Sequence, residues 1–230
     1  MLRSSSISLL DFNEGSRNLR NLILIPSELE YRILDPLLVE PVSRSLDRIE
    51  PCGFGLVAAA ARTAGLIAEH DPQRVILIGI AGTLTGECAI GSAYRFGRVI
   101  CDGIGVGTQL DHQSASEMGW NHYQDIDSGV VVSDGIAFAS ESTRQLLSVA
   151  AASRSLEESH HRSIRYPAAV AEDMEGFAVA AACQIAGKPL EMIRGISNQA
   201  GNRDHSTWQI EAALRSAAAL VAELVRSFDP

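Results

Sequence analysis

The sequence predicts an α/β fold layered around a central, mostly parallel sheet. Two observations carry that prediction. Short apolar runs bounded by turn residues alternate with longer helical stretches from residue 21 to the C-terminus. No repeat, low-complexity segment or linker interrupts the alternation, so residues 21–230 read as one domain. At 230 residues the chain can bury a substantial core in that one domain.

Each element has its own local reason. Residues 1–20 form a polar N-terminal extension. Their apolar run at 7–10 is broken by Ser8 and stopped by Asp11, which suits neither a signal peptide nor a membrane span. Asn21–Ile25 (NLILI) is a buried strand ended by Pro26, and Ser27 caps the helix Glu28–Leu38. Residues 41–51 hold a candidate second strand. Gly53-Phe54-Gly55 is a turn, and 56–70 is an Ala-rich helix stopped by Asp71-Pro72. Residues 75–78 form a strand, with Gly79-Ile80-Ala81-Gly82 as the turn that leaves it, and 94–101 form another strand. Residues 102–127 lack periodicity, and irregular segments of that length are more often functional than idle. Residues 129–133 are strand-like and 142–152 helical. Residues 168–171 lead into Glu172-Asp173-Met174-Glu175 and a helix as far as Gly187. Pro189 precedes a strand over 190–196. Thr207 opens the last helix, where Ile210, Leu214, Ala218, Val221 and Leu224 make one buried face.

The composition excludes several function classes. A net charge of -9 argues against nucleic acid, whose binding needs a basic surface. A small uncharged or weakly charged ligand remains compatible. No stretch suits a bilayer, so a cytoplasmic location is the default. Cys52, Cys88, Cys101 and Cys183 form no C-x-x-C pair, and His160-His161 sits in a charged stretch without an H-E-x-x-H; no metal site is expected. Gly103-Ile104-Gly105-Val106-Gly107 lacks the glycine spacing of a dinucleotide loop, and there is neither a P-loop nor a G-x-S-x-G elbow.

In open α/β sheets ligands bind at the carboxyl ends of strands. The segments after Ile25, Gly79 and Ile196 should therefore converge. The acidic run at 172–175 has a plain structural reading, since the helix dipole favours acids at an N-terminus. Three acids directly behind an apolar strand need partners if buried. One carboxylate can also accept from both hydroxyls of a vicinal diol. A buried Arg194 would need an acid, and this run supplies it. Asn198 is either a turn residue or an amide offered to a ligand.

The D-M-E of 173–175, followed after a helix by R-G-I-S-N at 194–198, resembles the nucleoside phosphorylase/nucleosidase superfamily. G-N-R-D-H-S-T-W at 201–208, Gly53-Phe54-Gly55 with its Ala-rich helix, and L-I-G-I-A-G at 77–82 narrow the match to nucleosidases acting on a hypoxanthine nucleoside. The resemblance implies a three-layer α/β/α fold with a central mixed, mostly parallel sheet. It implies a nucleosidase domain over 21–230 that cleaves the N-glycosidic bond of a purine nucleoside with no cofactor, usually as a homo-oligomer. Position by position, Glu175 matches the glutamate that binds the ribose hydroxyls, and Met174 the methionine packed on the sugar. Arg194 supports the acidic cluster with Asp173. Ile80, Ala81 and Gly82 line the substrate site. Glu30 matches the glutamate that orients the attacking water, with Glu28 as the alternative. Asn198 stands where 6-aminopurine nucleosidases carry an aspartate, and an amide donor suits the N7 and O6 acceptors of a 6-oxopurine. The superfamily's phosphorylases place an arginine and a serine where Leu77 and Ile80 stand here, which favours water over phosphate. Phe138, Tyr166 and Phe177 are candidates to stack on the base. Two rivals remain: another purine nucleosidase or phosphorylase of the superfamily, and a nucleoside-binding protein without turnover.

Overall fold

The computed structural model describes residues 19–42, 46–108 and 111–228. All but the last two residues of the N-terminal extension lie outside the described residues. In chain order the elements are β1 (Asn21–Ile25), α1 (Glu28–Leu38), β2 (Asp47–Pro51), α2 (Gly55–His70), β3 (Arg74–Thr83), β4 (Ala93–Phe96) and β5 (Arg98–Asp102). Four two-residue strands follow, β6 (Gly105–Val106), β7 (Gln113–Ser114), β8 (Tyr123–Gln124) and β9 (Val131–Val132). The chain then forms β10 (Gly135–Ala137), β11 (Gln145–Val149), α3 (Leu156–Arg165), β12 (Ala169–Asp173), α4 (Gly176–Ile185), β13 (Leu190–Gln199), a 3-10 turn (His205–Thr207) and α5 (Ile210–Ser227).

The central sheet is mixed and mostly parallel. Its strand order runs β10-β5-β11-β12-β3-β1-β2, with β13 paired to β3 and β4 paired to β13. The pairs β1/β2, β1/β3, β3/β13, β11/β12 and β5/β11 are parallel; β5/β10, β3/β12 and β4/β13 are antiparallel. The long strand β3 organises the sheet. Its first half pairs with β1, its last residues with β12, and β13 runs along its other edge.

Alternation along the strands makes three layers. Leu22, Leu24, Val75 and Leu77 face a core closed by Ala59 and Leu66 of α2 and Val179 of α4. Ile23, Ile25, Ile76 and Ile78 face Leu34 of α1 and Leu214 and Val221 of α5. The α5 stripe read from the sequence is buried at Leu214, Ala218, Val221 and Leu224, with Ile210 at its edge.

Several local expectations need correction. Gly79 and Gly82 do not end the strand, because β3 continues to Thr83. They are there for close approach: a Cβ on Gly79 would lie 2.7 Å from Glu30 Oε1 and 3.1 Å from Pro26 Cδ. The strand expected over 94–101 is two strands parted at Gly97, where a Cβ would run into the Ser142 carbonyl. The helix expected over 142–152 is instead β11, whose five residues are all buried between the two layers. Tertiary pairing overrides helix propensity there. Residues 129–133 contribute only Val131–Val132, and β13 extends three residues beyond 196. Thr207 ends the 3-10 turn; α5 starts at Ile210. Helix α3 was not anticipated: it is charge-rich, and Ser159 is its one buried residue.

Candidate active site

The ends of β1, β3, β12 and β13 open onto one cleft of about 250 Å³. The three segments expected to converge do so here, through Ser27 and Glu30, through Ile80, Ala81 and Gly82, and through Ser197 and Asn198. The acidic run Glu172, Asp173, Met174 and Glu175 supplies a further wall.

Glu30 is held by local sequence. Ser27 caps α1, and the two residues form a capping box. One Glu30 oxygen accepts from the Ser27 N–H at 3.0 Å and from the Ser27 hydroxyl. The other accepts from the Ile80 N–H at 2.8 Å, tying the first turn of α1 to the middle of β3. Glu30 is buried at 4% exposure, whereas Glu28 faces solvent and pairs with Arg32. Of the two acids, Glu30 is the one on the cleft.

At the floor of the cleft lies a charge cluster built on a sealed arginine. Arg194 is fully buried, ion-paired to Asp173, with Glu175 Oε2 3.5 Å away. Asp173 also accepts from Ser148 Oγ at 2.5 Å and from the Gly176 N–H at 2.8 Å. It is thus a strut between β11, β12 and α4. Glu175 is the first residue before α4, and its Oε1 accepts from the Gly55 N–H at 3.0 Å. The Gly53-Phe54-Gly55 turn therefore orients this carboxylate. Burial pushes Glu175 up to about 7; Arg194 opposes the shift and Asp173 adds to it. Burial likewise pushes the neighbouring Cys52 thiol up to about 12, so it is no thiolate nucleophile at neutral pH. All four cysteines are buried and free.

Asn198 is oriented by its neighbours. Ser197 Oγ donates to Asn198 Oδ1 at 2.7 Å, and Asn198 Nδ2 donates to the Gln199 carbonyl at 2.8 Å. A flipped amide would set oxygen against that carbonyl oxygen. The amide therefore keeps its NH2 on this side, with a second N–H free of these bonds.

The remaining expectations are mixed. Ile80 reaches the cleft, but Leu77 is fully buried in the core facing α2 and α4. Phe138, Tyr166 and Phe177 do not line it. Phe138 and Phe177 pack in the core, and the Tyr166 hydroxyl donates to Asp102 at 2.9 Å. The aromatic side chains at the cleft are Phe54, His205 and Trp208, with the His205 ring 4.4 Å from Trp208 and Arg203 5.1 Å over the Trp208 ring. All three lie in runs already singled out, but none has a periodicity that marks a lining residue. Glu172, Ala152 and Ser197 were likewise missed as lining residues. Among the described residues no group of three or more His, Cys, Asp or Glu is placed to hold a metal ion.

A model of the phosphorylase superfamily matches residues 49–228. The chain belongs to the phosphorylase superfamily. Within that superfamily it is similar to a futalosine hydrolase of Streptomyces coelicolor, 26% identical over 186 residues, covering 77% of this chain and 79% of that one. Two solved structures share the fold. A 5′-methylthioadenosine/S-adenosylhomocysteine nucleosidase of Neisseria meningitidis, in complex with methylthio-immucillin-A, matches with TM-score 0.71 at 20% identity, covering 91% of this chain and 100% of that one. A futalosine hydrolase of Helicobacter pylori matches with TM-score 0.69 at 17% identity, covering 91% and 99%. The superfamily model spans β2 to α5, so it takes in every cleft residue named above except Ser27 and Glu30.

Proposed function

We propose that this protein hydrolyses the N-glycosidic bond of futalosine, releasing hypoxanthine, as a step of menaquinone biosynthesis by the futalosine route. The observation that carries hydrolysis over phosphorolysis is the Glu30 carboxylate on the Ile80 N–H. A backbone N–H that reaches a cleft is the kind of donor that binds an anion. Here a buried carboxylate already takes it, and a second anion alongside would be repelled. Water is the nucleophile that fits.

In the mechanism, Glu175 accepts from the ribose hydroxyls and Met174 packs on the sugar. As the bond from C1′ to N9 lengthens, its electron pair passes into the purine and positive charge develops on the ribose. The Glu175 carboxylate stabilises that charge. Asn198 donates to N7 or O6 of the departing base, as an oxyanion-hole donor would. Glu30 orients the water, which adds to C1′ and gives up its proton to the carboxylate; a general base contributes about 10²–10⁴-fold. No step calls for a metal or cofactor. The similarity to a named futalosine hydrolase supports the substrate. The amide at 198 supports a 6-oxopurine. We also infer a homo-oligomer in the cytoplasm. No helix among the described residues is long and apolar enough to cross a membrane.

The test is to incubate the protein with futalosine, inosine and methylthioadenosine, with and without phosphate, and to chromatograph the products. Hypoxanthine from futalosine, with a free 1-hydroxyl on the sugar, is expected in both buffers. A sugar 1-phosphate would sink the hydrolytic reading. Preferred release of adenine would replace futalosine as the substrate, and no base released at all would leave a binding protein.

A further inference from the structure

Glu172 has no part in the mechanism above, yet it is 5% exposed and lines the cleft. We propose that Glu172 is a specificity-determining residue that accepts the N1–H of the base, so that Glu172 and Asn198 together select the edge of a 6-oxopurine. This rests on the nucleosidase reading.

Register places the two side chains. Glu172 pairs with Gly82 across the β12/β3 ladder, and Asn198 pairs with Gly82 across the β13/β3 ladder. Residues in register on adjacent strands project from the same face of a sheet. The β13/β3 ladder is bulged between Ile196 and Asn198, and both side chains line the cleft, so Glu172 and Asn198 flank Gly82 two strand spacings, or about 9–10 Å, apart at the backbone. Gly82 adds no side chain of its own, and Ala200 packs over it, 3.2 Å from where a Cβ would lie. Side chains of this length can reach opposite edges of one planar purine across that span.

The hydrogen-bond inventory says what each edge receives. Glu172 Oε2 accepts from Ser153 Oγ at 2.7 Å and from Arg162 Nη1 at 2.9 Å, filling its two lone-pair directions. Oε1 accepts only from the Ser153 N–H at 2.8 Å and keeps one acceptor site. Ser153 and Arg162 thereby hold the carboxylate rigid while leaving that site. A 6-oxopurine offers two acceptors, N7 and O6, toward the Asn198 amide and one donor, N1–H, toward Glu172. Adenine presents a bare acceptor at N1, which would face a carboxylate. An anchor for α3 would explain the bonds to Ser153 and Arg162; the acceptor left over belongs to a side chain that lines the cleft.

Calorimetric titration of the intact chain with hypoxanthine, 1-methylhypoxanthine and adenine tests this. Hypoxanthine should bind at least about 100-fold tighter than either, the scale set by an unpaired buried polar group. In Glu172→Met, which removes the acceptor and keeps the length, the gap between hypoxanthine and its 1-methyl derivative should shrink to about threefold or less. A purely structural role would weaken all three bases together and preserve their ratios. Equal binding of hypoxanthine and 1-methylhypoxanthine by the wild type overturns the proposal, as does an undiminished gap in Glu172→Met. If that variant does not fold, the wild-type series decides alone. Base binding needs no turnover. A protein that selects hypoxanthine but releases none from futalosine refutes the hydrolase and leaves Glu172 in its role; active hydrolysis without base selection does the reverse.

Discussion

Two arginines hold carboxylates of the same short acidic run, in opposite settings. Arg194 is sealed beneath the cleft, its side chain 0% exposed, with Asp173 and Glu175. Arg162 lies at the side, 18% exposed, with Glu172 and Asp102. The division follows from strand geometry, because Glu172 and Asp173 are neighbours on β12 and so project to opposite faces. The inner clamp has no solvent to relax it, and there the charges tune one another. The outer clamp reaches solvent through its arginine and serves to hold α3 and the segment through Ser153 in place. One run of sequence thus supplies an electrostatic device on one face and a positioning device on the other.

The comparison breaks most clearly at Arg194. Arg194→Met strands two buried carboxylates, and the loss should be about 3–5 kcal/mol of folding free energy. Urea unfolding measures it, and a cost under about 1 kcal/mol would mean the inner cluster is not sealed. Next is Glu175→Gln, which keeps the shape and removes the charge. Its kcat for futalosine should fall about 10²–10³-fold in a folded protein; near-normal turnover would move the ribose role elsewhere.

The pH dependence sharpens the contrast further. If catalysis needs Glu175 ionised, kcat/KM should fall as pH drops below about 7, where burial places this group. Because Asp173 adds to that shift, Asp173→Asn should carry the acid limb to lower pH. For stability the direction is opposite. A raised folded-state value makes this contribution full below the ordinary carboxylate range and lost as pH rises through about 7. Thermal unfolding of Glu175→Gln beside the wild type should therefore show a gap that changes across that window and not above it. The smallest effect belongs to the outer clamp. Arg162→Met should cost about 1–2 kcal/mol in the same urea experiment, with solvent compensating part of the lost charge. A loss matching Arg194→Met would erase the distinction between the two clamps.

How far these features were legible in the sequence depended on whether the signal was local. Asn21–Ile25, Ser27 with its helix, and the α5 stripe were readable because each carries a short-range signal: an apolar run stopped by a proline, a cap, or a 3.6-residue period. The continuation of β3 through Gly79 was not. Glycine there answers to Glu30, 49 positions earlier in the chain, and no local rule separates that from a turn. Strand β11 was misread because QLLSV is buried on both sides and carries no alternation. The partnership of Arg194 with the acidic run was inferred from charge and burial alone, and the salt bridge to Asp173 is there. The aromatic candidates failed because exposure at a cleft leaves no periodic mark; Phe54 and Trp208 come from opposite ends of the chain.

The capping box of α1 has a consequence for anyone seeking a hardier variant. Polar groups at a reaction centre commonly weaken a fold, and replacing them is a standard route to heat resistance. Glu30 breaks that pattern, since the carboxylate assigned to water also closes the first turn of a helix and pins it to β3. Selection for robustness and selection for turnover press the same way at this position. A library screened only for thermal tolerance should therefore retain glutamate at 30 without ever being asked for activity.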